Sequence, residues 1–188
     1  ELRGIMGHSF GGKVALAYAE LRQDELDEVW VLDSTPSVRI DGMKNVGAGH
    51  VLDTLDALPQ SFPSREFFFE HMTASGMNRN EIEWLAMNVR RDGDAFRFRL
   101  DLKTIRALLE DYFTRDLWGP VERSDARRRM GFVIGGRSVT VNETDRARLS
   151  KLAETSPRLE LHALEHADHW VHVDDPEGLF RILYRALS

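Results

Sequence analysis

A chain of 188 residues with 42% hydrophobic side chains holds enough apolar material for one globular core. Its formal net charge of −6, with acids and bases interspersed, argues against a nucleic-acid-binding surface, and no apolar run approaches a membrane span. The absence of cysteine excludes disulfides, Cys-ligated zinc and a thiol nucleophile. The chain opens on Glu1 and enters a strand almost at once, so a piece of a longer, soluble polypeptide of the cytoplasm or an organelle is expected.

Leu2, Ile5 and Met6 suggest a short buried strand, followed by Gly7-His8-Ser9-Phe10-Gly11, a G-x-S-x-G pattern. A serine that presents its hydroxyl at the end of a sheet must sit in a strained strand-to-helix turn. Side chains two residues before and after it would collide there, which calls for small residues at 7 and 11. A helix is expected over 13–22, with Val14, Ala17, Tyr18 and Leu21 forming its apolar stripe. The competing reading is a glycine-rich turn with an incidental serine. A polar connection, Gln23 to Glu28, leads to the apolar run Val29-Trp30-Val31-Leu32, a buried strand ended by Asp33-Ser34-Thr35-Pro36. An aspartate at the tip of a buried parallel strand lies on the ligand side of an open α/β sheet, although turns and caps also favour it.

Residues 37–118 change character and read as a helical insertion, a cap on the core segments 1–36 and 119–188. Val51, Leu55 and Leu58 share one face before Pro59, and Ser64 caps a helix containing Phe67, Phe68, His71 and Met72. Asn78 and Glu81 have capping-box spacing, and Ile82, Leu85, Ala86 and Val89 give a helical stripe. Phe96, Phe98 and Leu100 alternate with Arg97 and Arg99 as a short extended piece. Asp101 then opens a helix with Leu102, Ile105, Leu109 and Tyr112 inward. The run Phe67-Phe68-Phe69 suits either an acyl pocket or, as aromatic clusters more often do, helix packing.

Gly119-Pro120 closes the insertion, and the basic run Arg127-Arg128-Arg129 reads as a solvated face. Phe132-Val133-Ile134 is a third strand, closed by Gly135-Gly136. Asn142 caps a helix to about Glu154, with Leu149, Leu152 and Ala153 on one side. Leu159, Leu161 and Ala163 mark a fourth strand. The loop 165–173 leads to a last helix started by Asp174-Asp175-Pro176, with Leu179, Ile182, Leu183 and Ala186 as its buried stripe. Strand and helix alternate around one insertion, which predicts an α/β fold with a parallel sheet.

A serine hydroxyl needs a base within hydrogen-bond reach and an acid to orient that base. In the chain order Ser, acid, His, the sequence offers Ser9 as nucleophile and His169, in Ala167-Asp168-His169-Trp170, as base. The N–H of Phe10 is the expected oxyanion donor. For the acid, Val139 stands where an aspartate would be convenient. Asp33, at the tip of the neighbouring strand, is preferred over Asp145 and Glu143, which fall at a helix start. Asp168 adjoins His169 too closely to reach its far ring nitrogen. A metal held by His166, His169 and Asp168 is the rival reading, but no second cluster completes it, so neither metal nor cofactor is expected.

These residues resemble the α/β-hydrolase fold family, and within it the group of α/β-hydrolase domain-containing protein 11 and its bacterial esterase relatives. The matching stretches are Gly7–Lys13, Val31–Pro36, Phe96–Leu102, Gly135–Ser138 and Ala167–His172. The resemblance implies a serine esterase acting on a small acyl ester, lipid-like or thioester, through Ser9, His169 and Asp33. It also supports Asp33 because the relatives lack an aspartate at the position of Val139. Asp168, where that group often has glycine, is a departure that would set a carboxylate beside His169 or crowd its loop. The family further implies strands ahead of the elbow, with a second oxyanion donor, that this chain lacks. A C-terminal part of the fold is therefore expected, completed by a missing segment or a partner chain. A non-catalytic module binding a small apolar ligand is the alternative. Thioesterase, haloperoxidase or C–C hydrolase chemistry on the same fold also stays open.

Overall fold

The computed structural model describes residues 3–22, 25–39, 42, 47–123 and 128–187. Leu2, Gln23 and Arg127, which the sequence assigns to a strand, a connection and a basic run, lie outside them. Two compact units emerge, one of residues 1–38 and 115–188, the other of residues 39–114.

The first unit is a parallel sheet with helices. Its elements are β1 (Gly4–His8), α1 (Phe10–Leu21), β2 (Glu28–Leu32), then α6 (Trp118–Glu122), β5 (Arg129–Gly135), α7 (Glu143–Thr155), β6 (Leu159–Leu164), α8 (Val171–Asp174) and α9 (Pro176–Leu187). The strands run in the order β1-β2-β5-β6, all parallel. Register places Gly7 beside Val31 and Leu32 beside Val133. The tips of β1 and β2 therefore end level, and the residues that follow them, Ser9 and Asp33, leave the sheet on the same edge. The α/β expectation holds for this unit. Val29, Val31, Phe132 and Ile134 pack with Ala15, Leu16 and Leu149 on one face, while Trp30, Leu32, Val133 and Leu179 pack on the other. Both faces of β2 and β5 are covered, which is why those strands read as continuous apolar runs.

Several local expectations need correction. Among the described residues β1 stands at the end of the strand order, and Met6, expected in a buried strand, is 55% exposed. Helix α1 begins at Phe10, not residue 13, and its buried face is Gly12, Lys13, Ala15, Leu16 and Ala19. Val14 and Leu21 are exposed. Part of the reason is steric: a Cβ on Gly12 would lie 2.6 Å from Ser34 Cβ, so the first turn of α1 meets the sheet at a glycine, while Leu16 on the same face fills the core. Arg128 is not on a solvated face. It is buried, and its Nη1 donates to the carbonyl of Ala19. Arg129 is half-buried between Glu28 and Glu160. The short helix α8, unforeseen, separates the histidine loop from α9.

The second unit contains α2 (Ala48–Asp56), α3 (Arg65–Ala74), α4 (Arg79–Ala86), the hairpin β3 (Val89–Asp92) with β4 (Ala95–Phe98), and α5 (Leu102–Thr114). Ser64 accepts from the N–H of Phe67, and Asn78 with Glu81 forms a complete capping box. Val89 does not extend the α4 stripe. It pairs with Phe98 across a hairpin whose turn holds Gly93 at φ +63°. Of the three phenylalanines, Phe68 is fully buried and stacks on Phe98 at 6.0 Å, so it belongs to this unit's own core with Met72, Ile82 and Leu85. Phe67 and Phe69 pack against the same core. Among the described residues no helix is long and apolar enough to cross a membrane.

Candidate active site

Ser9 occupies the corner between β1 and α1, with φ 53° and ψ −118°. That backbone region costs an L residue about 1–3 kcal/mol, and the surroundings must enforce it. They do so through backbone bonds. The N–H of Ser9 donates to the carbonyl of Leu32 at 2.9 Å, and its own carbonyl accepts from Gly12 N–H at 2.9 Å.

Gly7 is obligatory, because a Cβ there would lie 1.9 Å from the carbonyl oxygen of Gly11. Gly11 is not, because a Cβ there meets nothing within 4 Å. The expectation of equal crowding at 7 and 11 is thus half wrong: the collision falls on the backbone of Gly11, and its partner in close packing is Gly12. Two substitutions separate these roles. Gly7→Ala is expected to prevent stable folding. Gly11→Ala is expected to keep or raise the melting temperature, by up to about 1 kcal/mol of helix propensity. Thermal unfolding of both variants checks this.

Asp33 follows β2 and is fully buried, with φ 42°. Its N–H donates to the carbonyl of Val133. Oδ1 accepts from the N–H of Gly135 at 3.0 Å, and Oδ2 accepts from Ser138 Oγ at 2.5 Å. The same Oδ2 lies 2.7 Å from His169 Nδ1, and His169 Nε2 lies 3.0 Å from Ser9 Oγ. A carboxylate only accepts, so Nδ1 carries the proton and Nε2 is left to accept from the serine hydroxyl. Thr140 Oγ1, 3.0 Å from Nδ1, shares that N–H.

The loop that carries His169 is fixed by close approach. A Cβ on Gly135 would lie 2.2 Å from the carbonyl oxygen of Asp168, and one on Gly136 would lie 2.5 Å from that of Glu165. Gly135, the last residue of β5, and Gly136 just after it are therefore the place where the histidine loop passes close. Arg146 ties the facing segment together, donating to the carbonyls of Gly135, Ser138 and Val141.

Ser9, Asp33 and His169 thus meet, whereas the other candidates do not. Asp145 is buried but accepts from Thr35 Oγ1 at 2.5 Å and Ser37 Oγ at 2.6 Å. Glu143 stands exposed in the first turn of α7. Val139 is 83% exposed. Asp168 accepts from the backbone N–H of His169 and not from its ring. His162 bonds Glu160, and His166 is exposed. Among the described residues no group of three or more His, Asp or Glu is placed to hold a metal ion. Phe10 is the first residue of α1, so its N–H belongs to the helix N-terminus that follows the serine.

Sequence reasoning passes over Ser138 and His8. Hydroxyl residues at 138 and 140, straight after two glycines, are the available sign for the first. His8 Nε2 donates to the carbonyl of His169 at 2.7 Å, and its ring lies against those of His169, Trp170 and His172. Burial holds the His8 pKa below its ordinary value, despite the bond to that carbonyl; His169 and His172 push the same way and Asp33 opposes them. A depressed histidine pKa gives stability that is full above the unfolded-state value and is lost as pH falls, since the unfolded chain takes up the proton first. The fall in melting temperature from about pH 7 to about pH 5 is accordingly expected to be smaller in His8→Gln than in the parent.

A family model described as the alpha/beta hydrolase family matches residues 2–182. The mouse protein named sn-1-specific diacylglycerol lipase ABHD11 is 26% identical over 176 residues, covering 92% of this chain and 55% of its own length. Esterase YbfF of Escherichia coli (strain K12) is 24% identical over 184 residues, covering 98% of this chain and 66% of its own. The chain spans between half and two-thirds of these curated relatives. Among solved structures, a marine microorganism esterase superposes with a TM-score of 0.78 at 18% identity, covering 97% of this chain and 69% of that one. An E-2-(acetamidomethylene)succinate hydrolase gives a TM-score of 0.69 at 19% identity, covering 97% and 65%. At these identities the structural likenesses speak to the fold.

Proposed function

Because this chain belongs to the alpha/beta hydrolase family, we propose that it carries the catalytic centre of a serine esterase that cleaves an acyl ester. Lipid-like esters and thioesters fall within the class. The observation that carries this reading is the unbroken hydrogen-bond line from Ser9 Oγ through His169 to the buried carboxylate of Asp33. The esterase and lipase names among its relatives support it.

In this mechanism Ser9 Oγ attacks the ester carbonyl while His169 Nε2 takes its proton. Asp33 holds Nδ1–H, keeps the productive tautomer and offsets the charge of the imidazolium that forms. The N–H of Phe10, at the positive end of α1, donates to the oxyanion. The tetrahedral adduct collapses, His169 returns its proton to the departing alcohol or thiol, and the acyl group remains on Ser9. Water, deprotonated by His169, then releases the acid and restores the serine. Ser138 and Thr140 fix the carboxylate and the imidazole edge by hydrogen bonds, so that little reorganisation is needed as charge moves. The test is turnover of a short p-nitrophenyl ester by the full-length protein beside Ser9→Ala.

A further inference from the structure

We propose that His8 is a positioning residue that holds the backbone of His169 in place against the strand carrying Ser9. This role rests on the esterase reading and adds to it a residue that never touches substrate.

The distance that matters, Ser9 Oγ to His169 Nε2, joins residues 160 positions apart. Backbone bonds anchor the histidine loop near the ends of β6 and β5: Ala167 N–H donates to the carbonyl of Leu164, and Arg137 N–H donates to that of Ala167. Neither reaches β1. Among the described residues two hydrogen bonds link β1 or its corner to His169. One is the serine–imidazole bond, which breaks and reforms as the proton moves in each cycle. The other is His8 Nε2–H to the carbonyl of His169 at 2.7 Å, which takes no part in proton transfer. His8 is the last residue of β1 and the immediate neighbour of Ser9, so this bond fixes the base relative to the nucleophile throughout the reaction.

Tilted and edge-on ring contacts reinforce it. The His8 ring centroid lies 4.7 Å from that of His169, tilted by 40°, and 4.8 Å from that of His172, edge-on at 70°. Trp170 closes the cluster at 5.6 Å. A neutral imidazole is suited to this place because it donates from one nitrogen while adding no positive charge beside a ring that becomes an imidazolium. A lysine or arginine would donate equally well and oppose that charge.

The experiment measures kcat and KM for a p-nitrophenyl ester in the full-length protein, with His8→Phe, His8→Asn and His8→Gln. Phe keeps a ring and removes the donor, Asn stops short of the carbonyl, and Gln places an amide N–H near the position of Nε2. The low-field proton resonance of the His169 Nδ1–H bonded to Asp33 is recorded on each variant. In His8→Phe and His8→Asn, kcat is expected to fall about ten- to a hundred-fold with KM within about twofold. The proton line broadens in both. His8→Gln recovers most of the rate and the sharp line. A purely structural role would lower the melting temperature without this split between kcat and KM and without rescue by Gln. Unchanged kcat and an unchanged proton line in His8→Phe and His8→Asn overturn the proposal. So does a rise in KM at constant kcat. If Ser9→Ala leaves turnover intact, the esterase reading fails by itself, and the proton line, which needs no turnover, decides the part played by His8.

Discussion

Replacing Ser9 with Ala is expected to lower kcat for a short p-nitrophenyl ester by about 10⁵- to 10⁶-fold, the scale seen when a nucleophile is removed from a triad that acts as a unit. Alanine keeps the Cβ that the strained corner already accommodates, so the elbow geometry at φ 53° is unchanged. The substitution removes the 3.0 Å bond to His169 Nε2, worth about 1 kcal/mol in stability. The melting temperature should therefore move by a few degrees at most while turnover disappears. A variant that keeps more than about 1% of the parent rate would show that another group performs the attack, since general electrostatic assistance leaves far less.

The second large effect is expected at Asp33. Asn tolerates the left-handed backbone at φ 42°, and its carbonyl oxygen can still accept from Gly135 N–H. Its amide NH₂, however, turns a donor toward His169 Nδ1. The imidazole must then accept at Nδ1 and carry its proton on Nε2, facing Ser9 with a donor where an acceptor is needed. Loss of about 10⁴-fold in kcat follows from the wrong tautomer alone. Asp145→Asn is the matched control. It belongs to the same unit but binds Thr35 and Ser37. That variant should lose stability, by about 1–3 kcal/mol for a disturbed buried network, and keep kcat within about threefold. Turnover surviving Asp33→Asn and collapsing in Asp145→Asn would transfer the acid role to Asp145.

The elbow is legible because its constraint is local. Gly7-x-Ser9 writes a strand tip, a positive φ and a helix start into a few consecutive residues, and the histidine loop announces itself by lying between a strand and a proline-started helix. Val29–Leu32 and Phe132–Ile134 are legible as strands for a related reason: burial on both faces removes polar residues from the whole run. Expectations fail where one element's environment is set by another. Val14 and Leu21 are large apolar residues of α1, yet the face turned to the sheet is Gly12, Ala15, Leu16 and Ala19, because the helix starts directly at the elbow and meets the strand backbone closely at Gly12. Arg128 reads as surface charge, whereas the fold buries it with its Nη1 on the carbonyl of Ala19. Val89 fits a helical stripe until a turn at Gly93 pairs it with Phe98.

Residue order alone supplies the side-chain types this chemistry needs, their succession along the chain, and the parallel α/β class that brings strand tips to one edge. Periodicity and turn chemistry are properties of neighbouring residues and survive without knowledge of the fold. Which aspartate meets His169, how Ser138 and Gly135 hold that aspartate, and how His8 grips the histidine loop emerge from the folded arrangement. Those are distances between residues 102 to 161 positions apart. They follow from strand order and register, and nothing in local periodicity encodes which carboxylate a distant imidazole will find.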